Sequence, residues 1–102
     1  MFGVYMKFTA QPGQREALMA HLLNAANSLR AFEGCYFYVI NSVPEEANVV
    51  WVTEVWRSEA DQQASLANED TKAAIMAVRP LIADIARTVI EPRGGKGLPI
   101  EV

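Results

Sequence analysis

VVWVTEVW, residues 49–56, is a strand with no polar face. Successive side chains of a strand point to opposite sides. Val50, Val52, Glu54 and Trp56 therefore face one way, and Val49, Trp51, Thr53 and Val55 the other. A half-wet strand alternates apolar and polar residues. This one is apolar on both sides, with a tryptophan on each and one carboxylate among them. Both faces must be covered.

Upstream, CYFYVIN (35–41) has the same character, with Cys35, Phe37 and Val39 opposed to Tyr36, Tyr38 and Ile40. The polar stretch SVPEEAN (42–48) joins the two as an antiparallel hairpin. FGVYMKFTA (2–10) alternates and forms another strand. Gln11-Pro12-Gly13 ends it, and Pro12 suits the first turn of a helix. Leu18, His21, Leu22, Ala25, Leu29 and Phe32 then recur at helical spacing over 13–31. Gly34 fits a left-handed cap at the end of that helix. Downstream, Ser58 caps a helix over 59–67, with Asp61 in the third position after it. A second helical piece runs from Asp70, itself a cap, to Val78. Pro80 opens a short segment, Leu81–Asp84, and IARTVIEP (85–92) is the fourth strand.

The order is β-α-β-β-α-β, an α+β ferredoxin-like sandwich with both helical regions on one face of an antiparallel sheet. Residues 1–93 form the domain, and 94–102 a flexible tail. The second sheet face has no element left to cover it. Its apolar area, several hundred Å², exceeds the usual exposed patch of a monomer. At about 25 cal/mol per Å² its burial favours association. The expected partner is a second copy packed sheet to sheet, a homodimer closing a shared α+β barrel. The tail is placed to pair as an exchanged strand at the partner subunit's sheet edge.

The 102 residues carry a net charge of −3 and no basic block, which argues against nucleic acid or an anionic membrane as partner. Met1 leads directly into an alternating strand, without a signal-like start. Cys35, the single cysteine, has no internal disulfide partner, and a cytoplasmic protein is expected. One His and one Cys, with no CxxC or HxxxH spacing, supply no metal site. GGKG (94–97) precedes no helix and is not a phosphate loop.

FTAQPGQ (8–14), EGCYFY (33–38) and TEVWRSEA (53–60), in this order, resemble the antibiotic biosynthesis monooxygenase family of dimeric α+β barrels over residues 2–92. The resemblance implies a homodimer with a pocket between sheet and helices in each subunit. Members include oxygenases of phenols and quinols that use no metal or flavin, and others that degrade haem. Many quinol-oxygenase-like members carry histidines where this chain has Ser65 and Asp70. The haem-degrading branch has Asn, Trp and His where this chain has Met6, Ser65 and Ile75, so haem degradation is not implied.

Cofactor-free oxygenation requires an aromatic wall, a group that accepts a proton and exclusion of water. His21, Trp56 and Tyr38 are the catalytic candidates. Trp51, Glu54, Tyr36, Ser65 and Asp70 are the substrate-binding candidates. Trp56 and Glu54 share a strand face, either as ring wall and proton acceptor or as a core tryptophan and a paired carboxylate. Glu54 then needs a partner, with Arg79 and Arg87 available. Trp51, Tyr36 and Tyr38 serve either the pocket or the dimer seam. His21 is either a general base on the helix wall or a half-buried histidine bonded to the backbone. Cys35 reads as a small hydrophobe. The expected function is cofactor-independent monooxygenation of a small phenol, quinol or anthrone-like compound with O₂. The alternatives are a non-catalytic dimer binding a small apolar ligand, or an isomerase or decarboxylase on the same scaffold.

Overall fold

The computed structural model of the chain describes residues 1–98. Its elements are β1 (Phe2–Ala10), α1 (Arg15–Ser28), β2 (Cys35–Val43), β3 (Glu46–Trp56), α2 (Glu59–Leu66), α3 (Glu69–Val78) and β4 (Ile82–Ile90). Short 3₁₀ turns follow α1 and α3, at Leu29–Ala31 and Arg79–Leu81. The four strands form one antiparallel sheet in the order β2-β3-β1-β4. This is the α+β ferredoxin-like arrangement.

All helices lie on the face that carries Val50, Val52, Glu54 and Trp56. Val4 and Phe8 of β1 and Leu18, Leu22 and Leu29 from the helical side are buried with them. The opposite face carries Tyr5, Lys7, Trp51 and Val39. Tyr5 and Val39 are each 44% exposed. The rings of Tyr5 and Trp51 meet edge to face at 6.3 Å, and the Lys7 ammonium lies 5.8 Å from the Trp51 ring centre. The helices leave β4 uncovered, and its interior positions are exposed on both faces. Ile90 and Pro92 fold over Gly3, where a Cβ would stand 2.6 Å from Ile90 Cγ1, so only glycine fits at that point of β1.

Several boundaries differ from the sequence reading. The hairpin loop is shorter than 42–48, because the ladder continues to Val43↔Glu46. Pro12 lies in the turn before α1 rather than in its first turn. Gly34 is not left-handed: positive φ among the described residues is confined to Gly13, Gly94, Gly95 and Gly97. It lies instead against Asp61, where a Cβ would approach Cγ to 2.5 Å. Asn68, not Asp70, caps α3, its side-chain oxygen accepting from the N–H groups of Asp70 (2.9 Å) and Thr71 (3.3 Å). Ile82–Asp84 belong to β4, since Ile82 and Asp84 pair with Ala10 and Thr9. Most of the expected tail strand, 98–102, lies outside the described residues.

A bulge between Cys35 and Phe37 adds Tyr36 to β2. The bulge breaks the alternation. Cys35 joins Tyr38 on the helix side, packed against the cluster of Trp56 and Leu29, while Phe37 and Val39 stay on the open face.

Candidate active site

Between sheet and helices lies a cavity of about 330 Å³. Met6, Phe8, Tyr38, Glu54 and Trp56 form its floor. Its roof is built from Leu22, Ala25 and Leu29 of the first helical region, Gln62 and Ser65 of α2, and Ala74, Ile75 and Val78 of α3. The lining surface is mostly apolar, with polar side chains such as Glu54, Gln62 and Ser65 set among aromatic and aliphatic ones, as small-molecule sites generally are.

Glu54 is the buried carboxylate of this cavity, 6% exposed. Two residues along the same strand face, the Trp56 indole Nε1 donates to Glu54 Oε1 at 3.0 Å. The indole is thus the direct partner of the carboxylate. Neither Arg79 nor Arg87 forms an ion pair with it among the described residues, and Arg87 acts only through its charge. Burial raises the Glu54 pKa, and the Trp56 hydrogen bond and the Arg87 charge oppose that rise without cancelling it. Tyr38 stands directly across from Glu54 on β2. Burial first, then the charges of Glu54 and Cys35, push its hydroxyl well above the usual phenol range. It therefore keeps its proton at neutral pH and is a donor. Cys35, pushed up to about 11 by burial and then by Glu54, stays a thiol and is a poor nucleophile.

The structure brings together six of the eight candidates. Tyr38, Glu54, Trp56, Ser65, Asp70 and His21 all line the cavity. Ser65 is buried, its hydroxyl donating to the Gln62 carbonyl at 2.8 Å. His21 is exposed and stands at the rim rather than in the buried stripe expected for it. Trp51 is on the open face with Tyr5. Tyr36, at the bulge, lines a separate shallow depression beside β2. Neither is part of this cavity. Gln62, buried at 6%, was not singled out from the sequence. Its signal was the spacing of Gln62, Ser65 and Leu66 on one side of α2, obscured because two of the three are polar.

Ser58 and Asp61 fix α2. The Ser58 hydroxyl accepts from the Asp61 N–H at 3.2 Å and donates to Asp61 Oδ2 at 2.8 Å. Arg57 grips both oxygens of that carboxylate at 2.8 and 2.9 Å, which holds its pKa below the usual range. This latch sets the position of Gln62 and Ser65 over the floor.

The model of the antibiotic biosynthesis monooxygenase family matches residues 1–77. The chain belongs to that family. The match covers β1 to α3 and so contains both hydrogen-bonded groups of the floor, Glu54 and Trp56. Among solved structures, a candidate antibiotic biosynthesis monooxygenase from Chloroflexus aurantiacus is 38% identical, with a TM-score of 0.87 over 95% of this chain and 97% of that one. A second, from Deinococcus radiodurans, is 21% identical, with a TM-score of 0.82 over 100% and 98% of the two chains. A third, from Nitrosomonas europaea, keeps a TM-score of 0.86 at only 10% identity, over 92% of this chain and 100% of that one. The last two show the fold alone. No curated protein matches the chain. Among the described residues, no helix is long and apolar enough to cross a membrane.

Proposed function

We propose that this member of the antibiotic biosynthesis monooxygenase family oxygenates a small phenol, quinol or anthrone-like compound without a cofactor. The single observation that carries the reading is the buried carboxylate of Glu54, held by the Trp56 indole in the floor of an apolar cavity. Desolvation raises the proton affinity of such a group and makes it a better base toward a weak carbon or phenol acid.

The chemistry runs in balanced steps. Glu54 takes a proton from the substrate, and the anion passes one electron to O₂. The substrate radical and superoxide combine in a carbon–oxygen bond, and the peroxide takes the proton back from Glu54. Loss of water, with the second hydrogen of the same carbon, leaves a carbonyl. An activated methylene and O₂ thus give a ketone and water. The Arg87 charge, felt at Glu54, favours the anion. Tyr38 stays protonated and donates to an oxygen that gains charge. The apolar walls exclude water from the radical pair. The protein acts as a homodimer through its open sheet face, and the free thiol of Cys35 suits a reducing cytoplasm.

Oxygen uptake by chelator-treated protein tests this, against hydroquinones, naphthols and anthrones. The expected result is uptake above the spontaneous rate, falling by about 10²–10⁴-fold in Glu54→Gln. Tight binding across the panel without uptake overturns the enzyme reading and leaves a ligand-binding module.

A further inference from the structure

We propose that Arg79 is an anion subsite at the far end of the cavity, so that the substrate is an aromatic acid of two or three fused rings. This rests on the reading of Glu54 as the reactive end. The cavity is chemically graded along its length. At one end, Glu54 and Trp56 lie in the sheet rows of Val4 and Phe2. At the other, Arg79 lines the cavity with Ile85.

The chain path fixes this placement. Arg79 opens the turn between α3 and β4, and the Gln11 N–H pins that turn to the Leu81 carbonyl at 2.8 Å. Arg79 therefore belongs to the Ala10–Gln11 end of the sheet. Glu54 pairs with Val4, and Ile85 with Phe8. Those rows are four residues apart along β1 (8 − 4), roughly 13 Å at ~3.3 Å per residue. A single phenol ring is too short to touch both ends. Two or three fused rings, with an acidic group at the edge remote from the reacting carbon, span the gap.

Charge points the same way. Among the described residues no carboxylate oxygen lies within 4.0 Å of an Arg79 nitrogen, and Arg87, opposite Met6 on the helix-facing side of the sheet, is likewise without an ion pair. The other arginines, 15, 57 and 93, each hold a carboxylate, and Arg30 holds the Asn27 amide oxygen. Arg79 and Ile85 are both exposed, so the guanidinium stands at the solvent-open end of an otherwise apolar cavity, where it suits a planar carboxylate, which it binds with two parallel hydrogen bonds. Glu54 in the Val4 row and Asp70 at the start of α3 lie away from that end and disfavour an acid there, an effect that the Arg87 charge felt at Glu54 offsets only in part.

The test compares 6-hydroxy-2-naphthoate, whose hydroxyl and carboxylate stand on opposite rings, with 2-naphthol, bound anaerobically and followed by calorimetry. The wild-type protein is expected to bind the acid about tenfold more tightly or better, the range of a charge-assisted hydrogen bond. Arg79→Gln should bring the two ligands to within about twofold while 2-naphthol binding stays unchanged, and Arg79→Lys should restore part of the preference. Equal binding of both ligands by the wild type overturns the proposal, as does a preference that survives Arg79→Gln. Loss of 2-naphthol binding in Arg79→Gln does so too, because it marks a structural role. The readout needs no turnover. An Arg79-dependent preference without oxygen uptake therefore supports the subsite while refuting the oxygenase reading, and uptake without such a preference does the reverse.

Discussion

Burial raises the pKa of the Glu54 carboxyl, so the folded protein keeps this proton to a higher pH than the unfolded chain does. The stability contributed is complete below the ordinary carboxylate value of 4.5. It is lost as pH rises through the raised folded value. Glu54→Gln removes that loss and keeps an oxygen to accept the Trp56 indole N–H. Urea titrations from pH 4 to pH 8 should show the variant gaining on the wild type across this window, and parallel curves would contradict the burial argument. If Glu54 is the base, kcat/KM of the wild type rises over the same window. The period-2 pattern of residues 49–56 put Glu54 and Trp56 on one face, and that much was legible. It does not say which face the helices cover, so from the sequence Trp51 fits either the pocket or the dimer seam. The alternation around Tyr36 differs for another reason: a bulge shifts it by one residue and leaves no mark in the composition.

Elements were legible where apolar spacing is strong and less so where tertiary contacts decide. The helix boundary near Gly34 is such a case. Its glycine reads as a left-handed cap, yet it is required by packing, since any Cβ would strike Asp61. Asp61 has little freedom to move, being held by Arg57, Ser58 and the first turn of α2. The Arg57 N–H also donates to the Gly34 carbonyl at 2.8 Å, tying the two ends of the latch together. Gly34→Ala should therefore destabilise the fold by about 1–3 kcal/mol, the usual cost of overpacking, and displace α2 with Gln62 and Ser65. Thermal unfolding and ligand affinity should both fall. A stable variant with weakened binding would locate the effect in the cavity roof alone, and an unchanged protein would refute the packing account. Ile82–Asp84 illustrate the same limit, because Pro80 suggested a helical start while pairing with β1 made a strand.

At the scale of the whole molecule, the two apolar sides of residues 49–56 have different fates. One is buried under the helices. The other, with Tyr5 and Val39 each 44% exposed, is open in the single chain. Apolar surface of this kind favours association at about 25 cal/mol per Å² before entropic costs, and a two-fold pairing lets the same patch cover itself. Val39 lies in that face beside Phe37, away from the cavity, and it is not one of the cavity-lining residues. Val39→Lys places two ammonium groups into a self-complementary seam, where desolvation and mutual repulsion oppose assembly. Sedimentation velocity should then resolve a dimer for the wild type and a monomer for the variant, with ordered secondary structure in both. Lys7→Gln serves as a control, since it removes the cation over Trp51 without adding charge to the face. A wild-type monomer at micromolar concentration would refute the dimer. A Val39→Lys dimer would refute this face as its seam, and some other surface, such as uncovered β4, would have to hold the two copies together.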